Sequence, residues 1–206
     1  MSETKQMLKN AMILFVITLV AGVLLGIVYQ VTKAPIAYQE QLAQTKANQE
    51  VFPDADSFAE ADLDTAQVKK ILEGDAAYAK VGIDSVKIAK DASGKAIGYV
   101  LQISSGGYAD DIVFTMGLTN DGTLNGISLI SISETPGLGM NAQKVLVPQF
   151  NSVQTGDNLF EVTKTKKASD NQIEAISGAT ITSKAVTNGV NAGVLYFQNV
   201  LKGAQS

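Results

Sequence analysis

The sequence predicts an α+β domain of antiparallel strands with a closing C-terminal helix, preceded by a single N-terminal transmembrane helix. Three observations predict it. An uncharged apolar run lies near the N-terminus. Two pairs of β-rich segments follow, each joined by a turn. The last stretch repeats its apolar residues at helical spacing.

The apolar run is Ala11 to Tyr29, about 19 uncharged residues, close to the roughly 20 that span a bilayer as a helix. A cleaved signal peptide would carry a shorter apolar core and a small-residue cleavage site, whereas Tyr29, Gln30 and Val31 follow here; an uncleaved anchor is expected. Lys5 and Lys9 precede the run and Lys33 follows it, a bias that sets the N-terminus inside and the main body outside. Gly22 and Gly26 form a GxxxG step that permits close approach of another helix, although glycine is also common in membrane helices. Proline cannot continue a helix, so Lys33-Ala34-Pro35 is expected to end the span.

Ile36 to Glu50 reads as a polar helix and Phe52-Pro53-Asp54 as its break. Asp54, Asp56, Glu60, Asp62 and Asp64 lack the calcium-loop spacing and read as a solvated acidic face. Val86 to Ala89 and Ile97 to Ile103 flank the turn Asp91 to Lys95; Ile112 to Leu118 and Ile127 to Ile132 flank Asn120-Asp121-Gly122. A short helix is expected over Asn141 to Phe150 and a short strand around Val162. Val186, Val190, Val194, Phe197 and Leu201 give the final helix one apolar face; Thr182 or Ser183 is the expected N-cap and Lys202-Gly203 the stop. The expected organisation is an anchor over 1–33, a helical and acidic connecting region over 34–84, and the α+β domain over 85–206.

Composition removes several functions. The chain of 206 residues has no His and no Cys, which excludes Ser-His and Cys-His hydrolases, disulfides and cysteine-held iron–sulfur clusters. A zinc or other metal site is not expected. The net charge is −4 and no basic run occurs, so nucleic acid is not an expected partner.

The chemistry concentrates at Ser177-Gly178-Ala179-Thr180, just before the final helix. Gly178 permits a tight turn, Ala179 leaves the surface clear, and Ser177, Thr180, Thr182 and Ser183 supply hydroxyls. The free N–H groups and positive dipole end of the following helix favour a phosphate there. Taken alone, the segment fits equally an ordinary N-cap among small residues. It lacks the Gly-Lys-Ser/Thr ending of a phosphate-binding Walker loop.

Ser177-Gly178-Ala179-Thr180 resembles the flavin-attachment motif of the FMN-binding domain family. That family includes the G subunits of Rnf complexes and the C subunits of sodium-pumping NADH:quinone oxidoreductases. The resemblance implies that Thr180 receives FMN as a phosphoester from a separate flavin transferase, which uses FAD as donor. It also implies recognition by the transferase of a carboxylate six residues earlier, here Glu174 where the family usually has Asp. A second motif, Glu134-Thr135-Pro136-Gly137-Leu138-Gly139, is similar to the family loop that lies against the flavin. Its proline stiffens it, its glycines expose backbone N–H groups for the ring edge, and Leu138 offers apolar contact. Gly106-Gly107-Tyr108 resembles a third family loop, with Ala109 and Asp110 in place of its last glycines; Tyr108 is open between stacking near the flavin and a place in the core.

The function implied is a membrane-anchored electron-transfer subunit with covalent FMN and no catalytic residues of its own. Its partners are the other membrane subunits of the complex. The short region before the domain resembles the Rnf G subunits more than the quinone-reductase subunits. The resemblance then implies an ion-translocating oxidoreductase that couples electron transfer between ferredoxin and NAD to sodium or proton movement, with the FMN domain on the extracytoplasmic side of the cell membrane. Two readings of another class remain open: reversible binding of a phosphate-bearing ligand, and a purely structural subunit.

Overall fold

The computed structural model describes residues 3–156 and 158–203, so the ends of the expected anchor and domain, 1–2 and 204–206, lie outside the described residues. The chain forms two compact units, Met1–Ala43 and Gln44–Ser206. Helix α1 runs from Glu3 to Val51. Its apolar stretch is exposed on all sides and is long and apolar enough to cross a membrane. Thr18 and Thr32 return their hydroxyls to the Leu14 and Val28 carbonyls at 3.0 and 2.9 Å, which hides polar atoms within an apolar surface. Pro35 lies inside α1 and does not end it. The proline removes only the hydrogen bond to the Val31 carbonyl, and the residues on both sides favour helix enough to carry it through.

In the second unit, strands β1 (Ser57–Ala61), β2 (Val81–Lys90), β3 (Ala96–Gly106), β4 (Asp111–Thr119), β5 (Thr123–Ser131) and β6 (Val153–Gln154) form an antiparallel sheet in chain order. Helix α2 (Thr65–Glu73) connects β1 to β2 and is capped by the Asp64 carboxylate on the N–H groups of Ala66 and Gln67. The stretch 34–84 therefore contains the end of α1, an edge strand and α2. Its acidic side chains, Asp54, Asp56, Glu60, Asp62 and Asp64, are all exposed.

Both hairpins form at the expected turns. Asp91 accepts from the Ser93 and Lys95 N–H groups at 2.9 and 3.0 Å, and Gly94 adopts φ of 81°. The Ser93 hydroxyl, followed by these N–H groups, holds the Asp91 carboxyl below its usual pKa. The second turn repeats the device, with Thr119 bonded to Asp121 and Gly122 at φ of 91°. After β5 come a 3₁₀ turn (Gly139–Asn141), α3 (Ala142–Val145) and a second 3₁₀ turn (Val147–Phe150). A parallel pair follows, β7 (Glu161–Thr163) and β8 (Gln172–Glu174). Helix α4 (Thr180–Tyr196) closes the fold and ends in a π-helical turn, Phe197–Leu201.

One face of the sheet packs on α4. Ile103, Phe114, Met116 and Leu118 meet Val186, Val190, Val194 and Phe197 in one fully buried cluster. Two glycines of α4 allow this approach: a Cβ on Gly189 would stand 2.8 Å from Phe114 and 3.0 Å from Ile103, and one on Gly193 would strike Met116. The other face receives the last turns of α1. Phe52 lies over Gly98 and Gly117, and a small cluster of Val51, Phe52, Ala55, Ala89 and Val100 forms there. Gln44 bonds Gln102, and the Ser128 hydroxyl donates to Glu50. Asn191 of α4 clamps the loop before β7, accepting from Phe160 N–H and donating to Phe160 carbonyl, each at 2.9 Å.

Gly189→Val forces branched methyls into Phe114 and Ile103. Overpacking of this kind costs about 1–3 kcal/mol, so thermal unfolding of the detergent-solubilised chain should show a lower midpoint.

Candidate functional site

The start of α4 is built by a turn. Ala179 N–H donates to the Ile176 carbonyl at 2.9 Å, and Gly178 takes φ of 76° at the third position, the conformation a type II turn requires there. Ser183 locks the turn from inside the helix: its hydroxyl accepts from Ile176 N–H at 3.0 Å and donates to the Ala179 carbonyl at 2.9 Å. The N-cap is therefore Ala179, not Thr182 or Ser183 as the hydroxyl pattern suggests. Helix periodicity extends one turn further back than the apolar stripe, because the Ser183 bond holds it there. Thr180 is the first helical residue and is half-buried, and no side chain caps the helix. The first N–H groups of α4 thus have no side-chain cap, a favourable place for an anion.

Glu134 joins three distant segments. It is 6% exposed. One carboxylate oxygen accepts from the Tyr108 and Ala109 N–H groups at 2.7 and 3.3 Å, and the other accepts from the Thr182 hydroxyl at 3.0 Å. Gly107 passes so close that a Cβ would collide with the Glu134 carboxylate, and a Cβ on Gly139 would come within 2.7 Å of the Thr182 hydroxyl. Both glycines are required by the approach of the loops to this carboxylate.

Between these segments lies a cleft of about 480 Å³, lined by Tyr108, Glu134, Thr135, Leu138, Gly139 and residues Gly178 to Thr182. That volume falls in the range of roughly 300–1,000 Å³ typical of small-molecule sites. Tyr108, Leu138 and Ile181 are 69%, 40% and 54% exposed, so its rim is apolar and open. Tyr108 stands on the rim and not in the core, which removes one of its two sequence readings. Ser177, Pro136 and Gly137 sit in the flanking turns. The loop's N–H groups are partly used within it: Leu138 and Met140 donate to the Thr135 carbonyl at 3.1 and 3.3 Å. The expected offering of backbone donors by this loop is reduced accordingly, because a tight turn satisfies itself first.

Residues 107–194 match the model of the FMN-binding domain, and residues 1–51 match that of the RnfG N-terminal region. The chain is 37% identical to the G subunit of the Na(+)-translocating ferredoxin:NAD(+) oxidoreductase complex of Acetobacterium woodii, over 97% of this chain and 96% of that protein. The chain belongs to the G-subunit family. The G subunit of the ion-translocating oxidoreductase complex of Methanosarcina acetivorans is 31% identical, with 95% and 97% of the two chains covered. The G subunit of the proton-translocating ferredoxin:NAD(+) oxidoreductase complex of Clostridium ljungdahlii is 33% identical, with 85% and 83% covered.

The residues of this G-subunit family member fit FMN. Its cleft pairs an uncapped helix N-terminus, suited to a phosphate, with apolar walls suited to a flat ring. Thr180, the first residue of the helix, lines this cleft. Ile181 is a cleft residue that the sequence does not single out. Ile181 carried a signal, being a bulky apolar residue off the stripe of α4. Glu174 lies on β8 away from the cleft: its carboxylate accepts from Lys167 N–H at 2.8 Å, and its backbone pairs with Gln149. No group of His, Cys, Asp and Glu able to hold a metal occurs among the described residues.

Thr182→Val removes one bond to Glu134 and leaves a buried oxygen unpaired, a loss of about 1–3 kcal/mol. Amide hydrogen exchange at Tyr108 and Ala109 should accelerate in this variant if the three segments are held as one unit.

Proposed function

We propose that this chain carries one FMN as a phosphoester on the Thr180 hydroxyl and passes electrons within a membrane complex. The observation that carries the reading is the position of Thr180. It is the first residue of an uncapped helix and opens into an apolar-walled cleft. Attachment forms a bond from Thr180 Oγ1 to the FMN phosphorus as the diphosphate of FAD breaks. AMP leaves, and the hydroxyl proton is lost. A flavin transferase performs this step, guided by the carboxylate of Glu174.

Bound FMN supplies the redox chemistry, in one- and two-electron steps. The chain's own residues bind and orient. The N–H groups of Thr180 and Ile181 meet the phosphate charge, Gly178 keeps the approach clear, and Leu138, Ile181 and Tyr108 flank the ring. Glu134 holds the walls at their spacing. No side chain is assigned a proton-transfer role.

In the complex, this subunit stands among other membrane subunits that couple electron transfer between ferredoxin and NAD to sodium or proton translocation. The relatives from Acetobacterium woodii and Clostridium ljungdahlii are named for sodium and for protons respectively. The apolar part of α1 spans the cell membrane, with the N-terminus cytoplasmic and the FMN domain outside. Lys5 and Lys9 on the N-terminal flank support that orientation.

Two experiments test the reading. Protein expressed with an active flavin transferase and fully denatured should show a mass gain equal to FMN less one water, mapped to the Thr180 peptide. Thr180→Ala should fold and lack that mass. Flavin released on denaturation points instead to reversible binding, and no flavin at all to a structural subunit. Glu174→Gln keeps an oxygen for Lys167 N–H but removes the charge. It should slow flavin loading several-fold with little change in unfolding temperature.

A further inference from the structure

We propose that the buried charge of Glu134 sets the reduction potential of the flavin in this cleft, holding it low. The proposal rests on FMN occupying the cleft and does not depend on the bond to Thr180.

Glu134 is the only carboxylate among the lining residues, and no Lys lines the cleft to oppose it. None of the ion pairs among the described residues includes it. Its two oxygens are held by two backbone N–H groups and one hydroxyl, all neutral donors. At 6% exposure, little water reaches the carboxylate to screen it. A charge so placed acts across the cleft through a poorly screening medium. Reduction adds electron density to the ligand, and a fixed negative charge beside it raises the free energy of the electron-rich form. The oxidised form is favoured, and the potential falls.

The same carboxylate also joins three segments, so a loss of geometry must be separated from a loss of charge. Two substitutions separate them. In Glu134→Gln the amide oxygen can still accept from Tyr108 and Ala109, while its NH₂ meets a Thr182 hydroxyl able to turn and accept. Shape is kept and charge is lost. Glu134→Asp does the reverse: the charge stays in the cleft, but the shorter side chain cannot reach both partners. Thr135→Asp adds a carboxylate to an exposed wall of the same cleft.

The test is a spectroelectrochemical titration of the flavin-loaded, detergent-solubilised full chain. Glu134→Gln should shift the reduced-to-oxidised ratio at fixed potential at least tenfold toward reduced, which for a two-electron couple is about 30 mV positive. Glu134→Asp should stay near the parent protein, and Thr135→Asp should shift by a smaller amount in the negative direction. The proposal is overturned by an unchanged potential in Glu134→Gln, or by an equal shift in Glu134→Asp, which would mark the role as structural. If Glu134→Gln holds no flavin, Thr135→Asp decides: a negative shift supports the charge effect, and no shift or a positive one defeats it. Denaturing mass measurement on the same samples reads attachment separately, so a failure of the Thr180 assignment cannot be mistaken for a failure here.

Discussion

The seating of α4 on the sheet is the constraint on which the site depends. Gly189 and Gly193 let the helix lie against Phe114, Ile103 and Met116 at a distance that no side chain at those positions would permit. Close packing of this kind leaves few alternative positions, because interiors have little free volume. The axis of α4 is thereby set, and with it the direction of its N-terminus and the place of Thr180. Asn191 extends the same control outward by gripping the Phe160 backbone on both its polar atoms.

From that base, short polar contacts build the cleft. Ser183 ties the preceding turn to the helix. Glu134 ties its own loop to Ala109, 25 residues earlier, and to Thr182 of the helix, 48 residues later. Ser183, Glu134 and Thr182 are each buried and engaged. Removing one partner exposes the other to a desolvation penalty larger than the bond's net worth. The residues at the start of α4 therefore have separate duties: Ser183 and Thr182 hold structure, while Thr180 lines the cleft.

Much of this was legible in the sequence. The paired strands, both turns and the final helix follow from local patterns, since alternation, Asp- and Gly-bearing turns (Asp91 to Lys95, Asn120-Asp121-Gly122) and a helical stripe are all read within about ten residues. The FMN-binding domain was legible because short segments carry its resemblance. Apart from Pro35, where the flanking helix formers outweigh the proline, the differences come from tertiary contact. Pro35 reads locally as an end because its local effect is unfavourable, yet the helix continues through it. Strand β1 was missed within an acidic stretch because it is an edge strand paired only with β2. Ala179 was not recognised as the cap because the bonds that define it come from Ser183. The role of Glu134 as a junction could not be read at all, since its partners are set by the fold and not by spacing.

The locked turn before α4 also bears on the order of biosynthesis. Ser177 and Gly178 are exposed, whereas Ala179, Thr182 and Ser183 are buried. A modifying enzyme that meets the folded domain encounters a rigid knuckle, not a pliable ribbon. To read the motif as an extended peptide it would have to melt the first turn of α4 and break the contacts of Ser183. Under the proposed attachment to Thr180, maturation would follow one of two physically distinct routes: labelling of a nascent chain before α4 docks, or recognition of a finished surface afterwards.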